Sequence, residues 1–224
     1  MAGSVVIVGG GVMGAATACF LARDHGVDVT VIERDPTYTR ASSALSASSI
    51  RQQFSQPANI ALSQWSLAFL HRVGDELAVG DERPQLGLVE PGYLYLATAA
   101  GAAVLRDTHA VQRAAGADVA LLAPQELAAR FPWLTTGDLA LGSLGLSGEG
   151  WFDGPALLQA FRRKAIASGA RFVAADATAF ETAGDRVQAV VTRDGRRFAG
   201  DALDRKSTRL NSSHERLSRM PSSA

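Results

Sequence analysis

The pattern of hydrophobic and polar positions predicts strands alternating with helices near both ends of the chain. Residues 5–8 form an apolar run rich in β-branched side chains, which suits a strand buried on both faces of a parallel sheet. A small-residue helix is predicted over 15–22 and a second strand over 27–32. A later amphipathic helix opens at residues 153–155 and ends at Gly169. Four short strands are then predicted, over 171–174, 177–181, 187–192 and 198–203.

The middle of the chain does not follow this alternation of strands and helices. A helix is predicted over Ser55–Val73, with Trp65 in its buried apolar stripe. Further segments are predicted as a strand at 87–98, helices at 102–115 and 124–131, and short strands with glycine turns at 137–150. This change of pattern indicates an inserted second region that supplies substrate walls.

Three glycines follow the first strand at the spacing of a dinucleotide-binding turn. Gly9 permits the tight turn, Gly11 lets a pyrophosphate approach the backbone, and Gly14 lets the helix pack close to the strand. The free amides and positive dipole end of the helix would face the phosphates. Glu33 ends the second strand, where an acidic residue accepts hydrogen bonds from a ribose hydroxyl. The order of these parts favours a bound dinucleotide over a glycine turn without a ligand.

The predicted fold class is therefore α/β: a Rossmann-like FAD/NAD(P)-binding domain with a parallel sheet and flanking helices. Residues 1–80 are predicted to form its first part and residues 151–203 its second. Residues 81–150 are predicted to form part of an inserted α+β substrate domain, so that the fold is incomplete.

A serine-rich connection runs from Arg34 to Ile50 and includes Ser42, Ser43 and Ser46. A simple linker is one explanation. The other is that small hydroxyl residues let the backbone press against a flat cofactor and donate to its phosphates. We favour the second, because a loop at the carboxyl edge of the second strand opens into the crevice where such sheets bind ligands.

Composition narrows the function classes. At 47% apolar and 20% charged residues, the chain has the composition of a globular protein with material for a core. Cys19 is the only cysteine, which excludes a disulfide framework and a thiolate metal cluster, and we expect no metal site. No apolar run reaches the roughly 18 residues of a membrane span. Because Met1 almost directly precedes the first strand, we expect no signal peptide and a cytoplasmic location.

The C-terminal residues 204–224 change the charge picture. Residues 204–214 and 218–224 resemble a translated sequencing adapter, so we expect a non-native, disordered tail and a natural part truncated near Leu203. Setting the tail aside removes five basic and two acidic residues from 22 of each, which leaves 17 basic and 20 acidic residues and a net charge of −3. This balance gives no electrostatic footprint for nucleic acid.

Three segments carry a resemblance to a known family: VVIVGGGVMG at the start, ASSALSASSIRQQFS at 41–55, and GEGWFDGPALLQAFRRKA from Gly148. They resemble the D-amino-acid-oxidase-like superfamily of FAD-dependent oxidoreductases, which includes sarcosine oxidase, glycine oxidase and dimethylglycine dehydrogenase. The second segment discriminates best, since many unrelated dinucleotide-binding proteins share the first. The resemblance covers residues 1–203.

The resemblance implies FAD as cofactor, with its pyrophosphate over the glycines, its ribose on Glu33, and its adenine held by backbone atoms of Ala177. The implied cofactor-binding residues are Gly9, Gly11, Gly14, Glu33, Arg34, Ser42, Ser43, Ser46 and Ala177. Arg51 is the implied catalytic residue, near the isoalloxazine, where a guanidinium stabilises a reduced flavin or holds a substrate carboxylate. A surface arginine is the alternative interpretation of Arg51.

The resemblance also implies a reaction: hydride transfer from the α-carbon of an amine or amino acid to flavin N5, giving an imine that water hydrolyses. The family's later segments, which complete the substrate sheet and close over the flavin, have no counterpart before Leu203. We therefore expect a fragment that binds FAD weakly or not at all and turns over no amine.

Two other functions stay open. An NAD-dependent dehydrogenase fits Glu33 equally well, although the continuation SSALSASSIRQQFS favours FAD because a simple dehydrogenase would run on into another βαβ unit. A non-catalytic FAD-binding assembly factor would bind the cofactor without oxidising any amine. The reading frame could also be an assembly artefact without a cellular product.

Overall fold

The computed structural model describes residues 3–184 and 186–206. In chain order the elements are β1 (Ser4–Val8), α1 (Val12–His25), β2 (Asp28–Glu33), β3 (Ser49–Ile50), α2 (Pro57–His71), α3 (Val73–Glu76), β4 (Leu94–Ala97), α4 (Ala102–Ala114), β5 (Val119–Leu122), α5 (Pro124–Arg130), β6 (Leu141–Gly145), β7 (Gly150–Trp151), α6 (Gly154–Ala167), β8 (Arg171–Ala174), β9 (Ala177–Ala183), β10 (Arg186–Thr192), β11 (Arg197–Ala199) and β12 (Ala202–Arg205).

The chain divides into two compact units. Among the described residues, the first unit combines those up to Leu45 with those from Leu158 onward, and the second holds the residues from Ser46 to Leu157. This division differs from the predicted boundaries at residues 80 and 150, because α2 belongs to the second unit. The change of unit falls instead within the serine-rich connection.

A four-stranded parallel sheet forms the centre of the first unit, in the order β12-β1-β2-β8. Apart from the partly buried Val5, the β-branched residues of β1 and β2 are buried, Ile7 and Val31 completely so. Such continuous burial is what an apolar, β-branched run predicts for a central parallel strand. The strand predicted at 171–174 returns the chain to this sheet as β8. The single strand predicted at 198–203 is wrong, since residues 197–199 form β11 of another sheet and only β12, from Ala202, joins this one.

Helix α1 presents small residues to its surroundings, since its buried positions are Gly14, Ala15, Ala18, Cys19 and Ala22. Small side chains let a helix lie close to a sheet. The helix ends at Gly26, which has a φ of 61° in the left-handed region that favours glycine at a helix C-terminus. The predicted order of strand, glycine turn, helix and strand is therefore correct.

The remaining strands of the first unit form an antiparallel sheet in the order β11-β10-β9. A hydrophobic cluster joins Val6, Val8 and Ile32 of the parallel sheet to Ala177 and Val190 of the antiparallel one. This core therefore includes Val8 and Ile32, which lie at the carboxyl ends of β1 and β2.

Strand β12 extends past the predicted start of a disordered tail. Asp204 pairs with Ile7 and Arg205 with Val8, and the Lys206 amide donates to the Val8 carbonyl over 2.9 Å. The expectation of disorder is wrong for these residues, because main-chain hydrogen bonds to the edge of β1 need no particular side chain. The rest of the proposed tail, residues 207–224, lies outside the described residues.

The second unit contains a three-stranded antiparallel sheet, β4-β6-β5, and a short pair of strands, β3 and β7. Strand β4 is shorter than the strand predicted over 87–98, since Gly87 and Gly92 have φ angles of 56° and 87° that interrupt extended structure. A small core forms around Ile60, Ala117 and Val119.

Helix α2 buries only part of the predicted apolar stripe, since Phe69 of that stripe is buried and Trp65 is not. Its buried residues are Ile60, Phe69 and Leu70, whereas Trp65 is 59% exposed. The Trp65 ring stacks on the Phe69 ring with centroids 5.9 Å apart. The prediction of Trp65 as a core residue is wrong, because the inward face of the helix is set by Ile60 and its contacts with the second unit's core.

Within residues 3–184 and 186–206, no helix combines the length and the apolar character that crossing a bilayer requires.

Candidate cofactor site

A cleft of about 540 Å³ opens in the first unit beside the glycine turn. It is formed by the turn itself, the first turn of α1, the end of β2 and the loop that follows β2. Its lining residues are Gly9, Gly11, Val12, Met13, Gly14, Glu33, Arg34, Asp35, Tyr38, Arg40, Ala41, Ser42, Ser43, Leu45 and Lys206. The carboxyl ends of two adjacent parallel strands meet at this edge, which is where open α/β sheets bind ligands.

The glycine turn has the geometry that its spacing predicts. Gly9 has a φ of 105°, which side chains rarely allow. A Cβ on Gly14 would lie 1.9 Å from the Gly9 carbonyl oxygen, so only glycine lets α1 begin this close to β1. A Cβ on Gly11 would meet no atom of the described chain within 4 Å. The backbone at Gly11 is therefore open toward the cleft.

Glu33 lies beside the glycine turn, held by two backbone amides. Its Oε2 accepts a hydrogen bond from the Gly10 amide at 2.7 Å, and its Oε1 accepts one from the Asp35 amide at 2.8 Å. An ionised carboxylate has about four acceptor positions, so two bonds leave room for ribose hydroxyls as further donors. The acid and the tip of α1 thus belong to one site.

The serine-rich loop supplies the wall of the cleft that faces the turn. Ser42 and Ser43 line it, and the Ser43 Oγ is buried with no hydrogen-bond partner in the described structure. Burying a hydroxyl without a hydrogen-bond partner costs free energy. The Ser43 hydroxyl is therefore available to donate a hydrogen bond to a ligand. Together with the open backbone at Gly11, this orphaned hydroxyl fits the phosphate groups of a dinucleotide.

The predicted site residues do not all lie at this cleft. Ser46 and Arg51 belong to the second unit, where the Ser46 Oγ accepts a hydrogen bond from the Ser48 amide at 3.1 Å. Ala177 is 8% exposed and packs in the core of the first unit. An adenine contact from its backbone stays a prediction.

Arg51 is fixed at its backbone and at its guanidinium. Its carbonyl accepts a hydrogen bond from the Ser63 hydroxyl at 2.5 Å, and its guanidinium carbon lies 5.1 Å from the centre of the Phe54 ring. The Arg51 Nε is buried and pairs with no acceptor among the residues that the structure describes. Arg51 is thus a partly buried cation, which differs from the simple surface arginine of the alternative interpretation.

A buried carboxylate holds the segment that carries Arg51, and the sequence patterns did not reveal it. Glu149 is 0% exposed, and its two oxygens accept four hydrogen bonds, at 2.6 to 3.2 Å. The donors are the amides of Gln52, Gln53 and Tyr93 and the Gln53 side chain. A Cβ on Gly145 would lie 1.9 Å from the Glu149 Oε2, so this glycine makes room for the carboxylate.

Two further cleft features were missed in the sequence. A Cβ on Gly10 would lie 3.1 Å from the Glu33 Cβ and 3.2 Å from the Tyr38 hydroxyl, which explains the glycine between Gly9 and Gly11. Tyr38 is buried although it stands in a polar loop. The sequence signal for these features was Gly10 itself, an additional glycine to which the dinucleotide-binding pattern gives no role.

Two ionisable residues that line the cleft, Tyr38 and Asp35, have shifted pKa values. Burial raises the pKa of Tyr38, and a hydrogen bond from the Thr37 hydroxyl lowers the pKa of Asp35. Burial also raises the pKa of the Cys19 thiol on α1 to about 11. The thiol is neutral at physiological pH, consistent with a packing role beneath the helix.

A sequence profile described as FAD-dependent oxidoreductase, of the DAO family, matches residues 4–203. The chain belongs to this family. FAD is the cofactor of DAO oxidoreductases, and the resemblance carried by the three quoted segments is confirmed. Curated relatives are similar over most of this chain. One is FAD-dependent oxidoreductase domain-containing protein 1 of Xenopus laevis, 45% identical over 196 residues, which cover 85% of this chain and 39% of the relative.

A Bos taurus protein of the same name is 46% identical over 181 residues, covering 79% of this chain and 37% of the relative. Among solved structures, glycine oxidase from Geobacillus kaustophilus is 28% identical with a TM-score of 0.75, over 92% of this chain and 55% of that one. L-proline dehydrogenase from P. horikoshii shares the fold, with a TM-score of 0.77 and 23% identity over 92% of this chain and 53% of that one. The DAO chain described here spans well under half the length of the curated relatives.

Proposed function

We propose that this chain is the FAD-binding portion of an oxidoreductase that oxidises the C–N bond of a secondary amine or an amino acid. The observation that carries the proposal is the cleft that gathers the glycine turn, Glu33 and the orphaned Ser43 hydroxyl. The similarity to a glycine oxidase at 28% identity supports an amine or amino-acid substrate. The proposal therefore combines the FAD cofactor of the family with a cleft whose donors and acceptors suit a dinucleotide.

The residues of the cleft have distinct proposed roles. The open backbone at Gly11 and the first amides of α1 would bind the pyrophosphate, where the helix dipole favours negative charge. The Ser43 hydroxyl would donate to a phosphate oxygen, and Glu33 would accept from the ribose hydroxyls. Arg34 stands exposed at the rim and would add positive charge near the phosphates.

When FAD is bound, it supplies a hydride acceptor for the α-carbon of the amine. The residues of this chain would contribute to that step by orienting the substrate and by placing charge near the reacting groups. We propose that the Arg51 guanidinium holds a substrate carboxylate or stabilises the reduced flavin, since its buried Nε has no acceptor among the described residues. The proposed roles of Ser46, near the flavin, and Ala177, against adenine, follow from the family resemblance.

Titration of the chain with ADP tests the cofactor site directly, because ADP carries the groups that the cleft would bind. Gly11→Val would place a side chain where the backbone is now open, and we expect ADP affinity to fall at least about tenfold in calorimetry, a loss of about 1.4 kcal/mol. Gly137→Val is the matched control, since a Cβ there also meets no described atom within 4 Å.

Equal ADP affinity of the Gly11→Val and Gly137→Val variants would contradict the proposed site. Failure of the unchanged chain to bind ADP at millimolar concentration would do the same. A chain that binds ADP but oxidises no amine in its full-length form would favour the non-catalytic assembly factor.

A further inference from the structure

Tyr38 occupies an unusual place in the wall of the cleft. Its side chain is 7% exposed, although the loop around it is polar. Its φ of 58° lies in the left-handed region, which is an outlier for a bulky residue. Strained backbone of this kind persists only where surrounding contacts over-determine it, and such positions cluster at ligand clamps.

The Tyr38 hydroxyl joins two parts of the first unit. It lies next to Gly10, where a Cβ would be only 3.2 Å away, and it forms a hydrogen bond with the Arg162 side chain of α6. The guanidinium of Arg162 in turn lies 5.4 Å from the centre of the Phe172 ring of β8. The ring of Tyr38 is therefore anchored against the glycine turn at one end of the cleft.

The backbone of Tyr38 begins a series of hydrogen bonds through the loop. Its amide donates to the Asp35 carbonyl at 3.0 Å, and its carbonyl accepts from the Ala41 amide at 2.9 Å. The Ala41 carbonyl then accepts from the amides of Ala44 and Leu45, at 3.0 and 3.2 Å. Ser42 and Ser43 lie within the segment that these bonds span, so the loop that carries both serines is hydrogen-bonded to the backbone of Tyr38.

We propose that Tyr38 is a positioning residue for the diphosphate of the cofactor, because it fixes residues 39–45 against the glycine turn and so holds Ser42 and Ser43 in the wall of the cleft. The inference rests on the proposed function, since it assumes that the cleft binds a dinucleotide. It adds a residue that the dinucleotide template does not contain. A tyrosine that only filled the core would stabilise the fold without affecting the loop.

Two substitutions separate the hydroxyl from the ring. Tyr38→Phe keeps the ring and removes the hydrogen bond to Arg162, whereas Tyr38→Asn removes the ring but tolerates a left-handed backbone. Tyr95→Phe is the control, because it removes a hydroxyl from a partly buried tyrosine of the second unit. Each variant is compared with the unchanged chain by ADP calorimetry, thermal unfolding and amide hydrogen exchange of residues 39–45.

We expect Tyr38→Phe to lower ADP affinity about fivefold, the change that one hydrogen bond's net contribution produces. Its exchange over 39–45 should rise, while its unfolding temperature stays close to that of Tyr95→Phe. Tyr38→Asn should lose affinity further, and its loop should exchange faster still.

Unchanged ADP affinity and loop exchange in Tyr38→Phe would overturn the proposal, even if Tyr38→Asn fails to fold. If Gly11→Val loses ADP binding while both Tyr38 variants keep it, only the positioning role fails. If the unchanged chain binds no ADP, the proposed function fails and the positioning role falls with it. Exchange over 39–45 then shows separately whether Tyr38 holds the loop.

Discussion

At the scale of single residues, Glu33 and Glu149 each accept several backbone hydrogen bonds, but we assign them different roles. Glu33 accepts two amides and still faces the cleft, which suits a ligand-binding acid. Glu149 accepts four donors and is fully buried, which suits an acid that fixes the backbone next to Arg51. A buried charge is tolerated only when hydrogen bonds satisfy it in this way.

Glu149→Gln should destabilise the second unit. An amide nitrogen would replace an oxygen that accepts hydrogen bonds, so at least one buried N–H group would lose its acceptor, at a cost of about 1 to 3 kcal/mol. Urea unfolding at neutral pH measures the loss. Glu181→Gln is the control, since Glu181 is exposed and pairs with Arg197, and surface pairs contribute about 1 kcal/mol or less. Equal stability of the two variants would refute the assigned role.

The Cys19 thiol gives a second prediction at this scale, in the alkaline range. Its pKa is raised by burial from 9.0 to about 11, so the folded state favours the protonated thiol. The resulting stability is fully present below the unfolded pKa and is lost as the pH rises from about 9 to about 11.

Cys19→Ala should remove the loss of stability that ionisation of the Cys19 thiol causes between about pH 9 and about pH 11. Unfolding temperatures of both chains between pH 8 and pH 11 test it, and the unchanged chain should also react slowly with a thiol reagent at pH 8. Parallel pH profiles of the two chains would contradict the prediction.

At the scale of elements, a carboxylate ties the start of β1 to the turn before β12. The Asp201 Oδ2 accepts hydrogen bonds from the Ser4 amide at 2.7 Å and the Ser4 hydroxyl at 2.9 Å. The bond from the Ser4 amide, followed by that from its hydroxyl, lowers the pKa of Asp201. Asp201 therefore stabilises the pairing of β1 with β12 more strongly in its ionised form than in its protonated form.

Asp201→Asn should lower the unfolding temperature at neutral pH but not in strong acid. The folded pKa is lowered, so the contribution is present above the unfolded value of about 3.9 and is lost as the pH falls through the folded pKa. Thermal unfolding at pH 6 and at pH 2 measures both states. Asp138→Asn, on an exposed turn, is the control. A constant difference between Asp201→Asn and the unchanged chain at both pH values would refute this account.

Periodicity and turn residues predicted most elements of the fold, because their signals are local. The β-branched runs of β1 and β2 and the glycine that ends α1 decide those elements without reference to distant residues. Part of the buried face of α2 was missed because Ile60 meets Ala117 and Val119, which are far away in sequence. Tyr38 and Glu149 were missed for the same reason, since their partners lie on other elements. Local patterns therefore predicted the glycine turn and its acid but not the contacts that position the loop.

At the scale of the whole molecule, the chain spans 39% of its Xenopus laevis relative. The cleft of the first unit is the proposed site for the adenosine diphosphate half of FAD, and Arg51 is the proposed contact for the flavin ring. We therefore expect the purified chain to carry much less than one flavin per chain and to oxidise none of a panel of amines. An absorption spectrum and an oxygen-electrode assay measure both, with glycine as one substrate. Stoichiometric flavin after purification would contradict the expectation.

The pairing of β12 with β1 bears on where a shortened form of the protein should stop. A chain ending at Leu203 would leave the peptide groups of Ile7 and Val8 without neighbours on that side, directly below the glycine turn. An unpaired strand edge of this kind can pair with an extended segment of another molecule. The resulting self-association would then be mistaken for poor cofactor binding. Three residues of extended backbone after Leu203, whatever their side chains, would keep this edge of β1 paired.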